Sequence, residues 1–382
     1  MNSKERVLVS LGHQEPDRIP LDYWAVPETT NQLLQHFKLK NRDELLKRLN
    51  IDFRYVKPKY RGKKFKEEAG GSLQQNLPDG TYKDIWGVKR RRVNWAKGSY
   101  LEVIESPLAE AKTEEEIKNY PWPEVNSFDY PGIFEECEKY ENYAIILTGD
   151  RLTTRASIFK LAIYLRGMEK FLMDLALNPK LAQALIAKLL EFHLKHNQRI
   201  LGRSASKIDI LMLGDDFGTE RGPMMSLEMF RKFFKPGLKE LIALGHNYGV
   251  KAMLHSCGGV REFIPDLIEI GLDILNPIQT QAKGMEPEEL KREFGKDICF
   301  HGSVDVQRTL PLGTIEEIKK EVKSRIKILG KNGGFILAPS HNLQPDIPAE
   351  NIIAMYEAGL GVSIPNRAHS RFRRGPGYFP EG

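Results

Sequence analysis

The sequence predicts an α/β protein, a (β/α)8 TIM barrel with a β-hairpin insertion near the N-terminus. Three observations carry that expectation. From about residue 143 onward, short apolar runs alternate with helical stretches, the pattern of parallel strands joined by helical crossovers. The repeats are numerous enough to close a barrel rather than leave an open sheet. No Gly-x-Gly-x-x-Gly follows any of these runs and there is no P-loop, which disfavours a nucleotide-binding sheet.

Each element has a local reason. Residues 3–14 show helical spacing, with Val7, Leu8 and Leu11 apolar, and Pro16-Asp17-Arg18-Ile19-Pro20 ends the helix. Residues 21–24 read as a short strand, 31–37 and 43–49 as helices, and 51–56 as the next strand. Residues 57–105 change character. Gly70-Gly71 and Pro78-Asp79-Gly80 are turn signals, and strand-like pieces at 81–86, 89–95 and 100–105 make this a hairpin excursion from the barrel. The regular part follows, with strands at 143–147, 208–213, 251–254, 273–276, 298–301 and 334–337. Helices lie between and after them at 171–199, 227–245, 261–270, 287–294, 315–329 and 348–358. Thr314 and Glu317 form a capping-box signature for the helix at 315–329. The chain is thus expected to be one barrel domain, 1–365. The tail, 366–382, carries Gly375, Pro376, Gly377 and Pro380 and reads as irregular chain.

Composition narrows the class. Of the 382 residues, 41% are hydrophobic and 28% charged, which is globular rather than disordered composition. Three cysteines, Cys137, Cys257 and Cys299, cannot build a disulfide framework and suit a reducing compartment. No uncharged apolar run approaches the ~20 residues of a bilayer helix, and no apolar stretch follows the charged N-terminus as in a signal peptide. A cytoplasmic protein without membrane contact is expected. The net charge of +6 is small for this length. The run Lys89-Arg90-Arg91-Arg92 reads as a solvated strand or an anionic contact, not as a nucleic-acid face.

Reactive groups of such a barrel stand where strands end and the following loops begin. That rule selects Asp150, Asp215, Asp216, His255, Cys257, Asn276, His301, Asp305 and His341. Of these, Asp150, Asn276, His301 and Asp305 are expected to contact substrate, together with Tyr23 and Trp24, and Asp22, Tyr23 and Trp24 at the end of the first strand are expected to line the pocket. His255-Ser256-Cys257 is the sharpest feature. On extended chain, residues i and i+2 point to one side, so an imidazole and a thiol face a common point, as two ligands of a tetrahedral Zn2+ would. The bland alternative is a packed thiol and a hydrogen-bonded histidine. His341 sits in the loop after the last strand, which returns over the same face. It is either a third ligand, leaving one coordination position open, or a proton donor or substrate ligand with no metal at all. Asp215-Asp216 offers an acid–base group or a partner for a metal-bound histidine. Strand alternation lets at most one of the two face the cavity, and Asp216 is the expected catalytic one. His193 and His196, i and i+3 on a helix beside Lys195 and Gln198, read as a solvated face.

Taken together these residues resemble the uroporphyrinogen decarboxylase superfamily. The resemblance lies in Gly214-Asp215-Asp216-Phe217-Gly218, Met225-Ser226-Leu227-Glu228-Met229-Phe230, His255-Ser256-Cys257-Gly258, the stretch 265–273, Gly302-Ser303-Val304-Asp305 and the stretch 334–351. Pro16-Asp17-Arg18-Ile19-Pro20 and Asp84-Ile85-Trp86-Gly87 are also similar, and the whole spans residues 3 to 360. It implies a (β/α)8 barrel. True decarboxylases of the superfamily carry an arginine-rich N-terminal run that grips propionate groups, and residues 21–30 here contain no Arg. The resemblance is closer to the cobalamin-dependent methyltransferases, which bind zinc through His-x-Cys and a distant Cys. His255 and Cys257 match the first two ligands, while the last loop offers Ser340 and His341 in place of the third. What this implies is a zinc-dependent methyltransferase or O-demethylase. It would work with a corrinoid protein on a small methylated substrate or tetrahydrofolate, and a homodimer would suit the family. The alternatives are a metal-free decarboxylase of a carboxylated substrate and a non-catalytic barrel that binds a corrinoid or tetrapyrrole.

Overall fold

The structure, a computed structural model, describes residues 1–67, 72–95, 98–149 and 153–365. Asp150 and the tail 366–382 lie outside the described residues, so the expectations placed on them have no structural counterpart here. Seven parallel strands form one sheet: β1 (Phe53–Val56), β2 (Ala144–Leu147), β3 (Ile210–Gly214), β4 (Lys251–His255), β5 (Ile274–Ile278), β6 (Cys299–Val304) and β7 (Phe335–Pro339), each paired with its sequence neighbours. The ring is closed by the segment around Leu21, which bridges Leu337 in parallel. Leu337 N–H donates to Pro20 O, Asp22 N–H to Leu337 O, and Asp52 N–H to Leu21 O, at 2.9–3.0 Å. The barrel of eight strands expected from the periodicity is therefore present.

The strands read as continuous apolar runs because both of their faces are covered. Phe53, Ala144, Ile146, Ile210, Met212, Met253, Ile274, Cys299 and Ile336 fill the barrel interior. Their alternating neighbours, such as Leu211, Leu213, Leu254, Leu275 and Leu337, face the outer helices. The floor is shut by α1 (Ser3–Leu11), whose start is fixed by a capping box between Asn2 and Glu5. Val7 and Leu11 of α1 join the interior cluster. Ser10 Oγ donates to Phe335 O at 3.0 Å, and Arg6 spans Asp17 and Asp52 beneath the strands. A barrel closed at its floor and polar at its strand ends confines any chemistry to the C-terminal mouth.

The excursion after β1 is larger than a hairpin. The pair Lys89–Trp95 and Gly98–Glu105 is the last turn of a five-stranded antiparallel meander that also includes Lys66–Glu67, Leu73–Asn76 and Tyr82–Asp84. The meander leans on the barrel through Trp86, which is fully buried and donates Nε1–H to Thr153 O at 2.5 Å. Asp84 organises the turn below it, accepting the Trp86 and Val88 N–H groups and facing Arg90.

One expectation is corrected here. His193 and His196, on the long helix Pro179–Ser204, are not on a solvated face; both are buried. Trp86 packs 5.8 Å from His193 centroid to centroid, and Phe128 lies 4.7 Å from His196. Segments distant in sequence cover this face, so the neighbouring Lys195 reported only the opposite side of the helix.

Candidate metal centre at the barrel mouth

Two strand ends build the centre. β4 ends in His255, and Ser256 and Cys257 follow it at the mouth. Ser256 turns away, accepting the Phe217 N–H on Oγ at 3.0 Å, so His255 and Cys257 share the inner side. At the end of β3 the two aspartates part. Asp215 accepts the N–H groups of Ile158 (2.8 Å) and Lys160 (2.7 Å), thereby holding the first turn of α2 (Phe159–Arg166). Burial pushes its carboxyl up to about 7, against the pull of those backbone bonds. Asp216 turns inward. Its Oδ1 lies 3.5 Å from His255 Nε2 and accepts the Cys257 N–H at 3.3 Å. Its Oδ2 lies 2.9 Å from Lys160 Nζ.

The outcome is a compact donor set. Ligand atoms of Asp216, His255 and Cys257 all lie within 4.8 Å of one another, and Cys257 Sγ is 3.4 Å from His255 Nε2. Burial drives the His255 imidazole down to about 3, with Asp216 opposing the shift, so the ring is neutral near pH 7 and has a lone pair to offer. Burial also works to raise the Asp216 carboxyl, but Lys160 and then His255 outweigh it and hold the group below the usual carboxylate range.

Beneath the donor set runs a row of polar groups. His255 Nδ1 faces Asn276 Oδ1 at 2.6 Å, Asn276 Nδ2 faces His301 Nδ1 at 2.6 Å, and His301 Nε2 faces Asp22 Oδ2 at 2.9 Å. Asp22 also accepts the Tyr23 N–H, the Trp24 indole N–H and the Tyr55 hydroxyl. Trp24 stands beside the row, its ring 5.3 Å from that of His255 and 5.8 Å from that of His301. Above the thiol, Gly218 and Gly258 meet backbone to backbone. A Cβ on Gly258, whose φ is +85°, would come within 2.5 Å of the Gly218 carbonyl carbon. Glycine at both positions lets the Asp216 loop lie directly on the Cys257 loop.

Of the residues singled out from the sequence, Asp216, His255, Cys257, Asn276, His301 and Trp24 come together. His341 stands beside them, its ring 6.5 Å from that of His255. Tyr23 does not reach the mouth. It points to the helix side, where its hydroxyl meets Thr30 Oγ1 at 3.1 Å and its ring packs near Tyr356, because it alternates with Asp22 and Trp24. Asp305 turns to the one-turn helix Thr309–Leu312, accepting the N–H groups of Gln307 and Arg308. Three contributors escape sequence reading. Tyr55 bonds Asp22, Lys160 pairs with Asp216, and the Arg155 guanidinium lies 5.7 Å from the Trp24 ring. Lys160 did leave a signal, being a lone cation in the first turn of the otherwise apolar Phe-Lys-Leu-Ala-Ile-Tyr-Leu.

Fold and site together define a (β/α)8 barrel with a thiol–imidazole–carboxylate cluster at its mouth. Residues 153–359, more than half of the chain, match the family model described as uroporphyrinogen decarboxylase (URO-D), and the chain belongs to that family. Its curated relatives include a methylcobamide:CoM methyltransferase MtaA of Methanosarcina barkeri, 28% identical over 151 residues. A second MtaA, from M. barkeri strain Fusaro / DSM 804, is 29% identical over 156 residues. Each alignment takes in 39% of this chain and 41% of the relative, so the chain is matched to about two fifths of those proteins. These relatives fit the cobalamin-dependent methyltransferase branch of the superfamily. Among solved structures, a methyltransferase from Methanosarcina mazei superposes with a TM-score of 0.64 at 16% identity, covering 94% of this chain and 99% of that one, a likeness of fold.

Proposed function

We propose that this chain is a methyltransferase that moves a methyl group between a small substrate and a corrinoid protein, with zinc held at the barrel mouth. The observation that carries the reading is the donor set itself: thiol, neutral imidazole and ionised carboxylate within 4.8 Å at the strand ends. That is the nitrogen, sulfur and oxygen chemistry zinc takes. His255 and Cys257 would supply two ligands and Asp216 a third; His341, whose ring lies 6.5 Å from that of His255 and which is not part of the compact donor set, is the candidate for a fourth. A bound zinc supplies Lewis acidity, favouring a substrate thiolate or a leaving alkoxide, the latter being the O-demethylase case.

The protein's own groups have separate tasks. Lys160 neutralises Asp216, which suits that carboxylate to charge balance and orientation more than to taking up a proton near pH 7. The Trp24 ring forms an apolar wall beside His255, and α1 closes the floor, so substrate and methyl carrier both meet at the open end. His341 keeps its second role, a proton donor at the rim.

A decarboxylase that uses no metal is the second reading. Arg155 and Lys160 beside the cluster favour it, as cations suited to a substrate carboxylate. One experiment separates the two. Elemental analysis of the purified protein and of Cys257→Ala is expected to give about one zinc per chain, lost in the variant, with methyl transfer to or from cobalamin lost alongside it. Full transfer activity in a Cys257→Ala protein that holds no zinc would sink the first reading.

A further inference from the structure

His255 can serve the mouth only if Nε2 bears a lone pair, and that choice of tautomer is made elsewhere. We propose that Asp22, at the far end of the row, sets the tautomer of His255 through His301 and Asn276 and so acts as a positioning residue for the centre. The inference rests on reading His255 as a ligand.

The argument follows the protons. Neutral imidazoles and carboxamides each carry a donor and an acceptor, and each can be reversed. An ionised carboxylate cannot, because it only accepts. Asp22 takes the Tyr23 N–H on Oδ1 at 2.7 Å, and on Oδ2 the Trp24 indole N–H at 3.1 Å and the Tyr55 hydroxyl. Apart from His301, its side-chain oxygens meet only donors, so the carboxylate serves the row as an acceptor. His301 must therefore place its proton on Nε2, 2.9 Å from Oδ2. Its Nδ1 is then an acceptor and needs a donor at 2.6 Å, which is Asn276 Nδ2. That turns Asn276 Oδ1 toward His255 Nδ1, also at 2.6 Å, so the His255 proton sits on Nδ1. Nε2 is left as a lone pair for the Cys257 thiol at 3.4 Å, while Asp216 Oδ1, 3.5 Å away, makes no hydrogen bond to it and instead accepts the Cys257 N–H. Asp22, Asn276 and His301 are fully buried and His255 nearly so; bulk water is not there to mend a reversed link. Reversal would set the His301 lone pair against the carboxylate.

The row can be tested without metal. In the metal-free protein with 15N-labelled histidine, NMR couplings report which ring nitrogen carries hydrogen, and a His255→Gln spectrum assigns the signal. The wild type should show His255 protonated on Nδ1. Asp22→Asn presents an amide N–H to His301 and lets the row reverse; His255 should move to the Nε2–H form, and zinc affinity measured by chelator competition should fall about 10- to 100-fold. Adding Asn276→Asp puts an acceptor between the two imidazoles, so both Nδ1 atoms must donate to it. The double variant should regain the Nδ1–H form and recover affinity. A purely structural role for Asp22 gives no such rescue. If Asp22→Asn does not fold, His301→Phe cuts the row and should leave His255 as a mixture of tautomers. An Nδ1–H form that persists in Asp22→Asn or in His301→Phe overturns the proposal, as does a double variant no better than the single one. Wild-type protein that binds no zinc would defeat the metal reading and leave the tautomer result standing by itself.

Discussion

The molecule buries two pairs of imidazoles and treats them differently. At the mouth, His255 and His301 are wired: three ring nitrogens meet polar partners in one row, and the fourth, His255 Nε2, faces the thiol and carboxylate. On the long helix, His193 and His196 are caged. His193 Nε2 accepts the Ser157 N–H at 3.3 Å, and among the described residues its Nδ1 has no hydrogen-bond partner. His196 stacks on Phe192 and donates to Tyr130, whose hydroxyl donates onward to Val125 O. Burial lowers His193, His196 and His255 alike, each to about 3. A depressed pKa therefore does not distinguish a site from packing; the direction of the hydrogen bonds does.

The largest effect should come from the wired pair's open end. Cys257→Ala is expected to remove zinc and turnover together, while the thermal melt stays within a few degrees, since a half-buried thiol adds little packing. A melt that collapses would make Cys257 a structural residue. Gly258→Ala comes next. It strains a left-handed residue by about 1–2 kcal/mol and drives the Asp216 loop off the Cys257 loop. Chelator competition should show zinc bound at least about tenfold more weakly, whereas unchanged affinity would mean the close loop contact is unimportant to the centre.

Trp86→Ala probes the cage instead. Removing this buried ring from above His193 and Phe192 should cost about 3–5 kcal/mol in denaturant unfolding, with zinc stoichiometry unchanged. Loss of zinc in that variant would join the two regions that the comparison separates.

The smallest effect is expected for His193→Leu. At pH 8 the variant should lie within about 1.5 kcal/mol of wild type, because the replaced ring leaves one nitrogen unsatisfied. The pH dependence carries the sign. The folded pKa of about 3 is below the unfolded value near 6.5, so the unfolded chain binds the proton first. The stability held by neutral His193 is complete above pH 6.5 and is lost as pH falls toward 3. His193→Leu should thus gain on wild type between pH 6.5 and 4.5 in paired unfolding curves. Parallel curves would show that His193 is not held neutral.

Much of this was legible in the chain. Period and punctuation marked all eight strand positions, because a covered strand must be apolar and its end must turn. His255 and Cys257 were legible because extended chain puts i and i+2 on one side, and alternation separated Asp216 from Asp215. The same rule could not say which of Tyr23 and Trp24 faces the mouth, since both are aromatic and both are buried.

What the sequence by itself determined is the local part: the barrel, its polar strand ends and the shared face of imidazole and thiol, all set by spacings of a few residues. Only the tertiary structure decided the rest. Asp22 meets His301 across 279 positions, Lys160 reaches Asp216 from α2, which precedes β3 in the chain, and Trp86 of the meander and Phe128 beyond it cover His193 and His196. Those partners touch because the barrel closes, and a hydrogen bond's direction depends on every donor and acceptor around it, which no local pattern records.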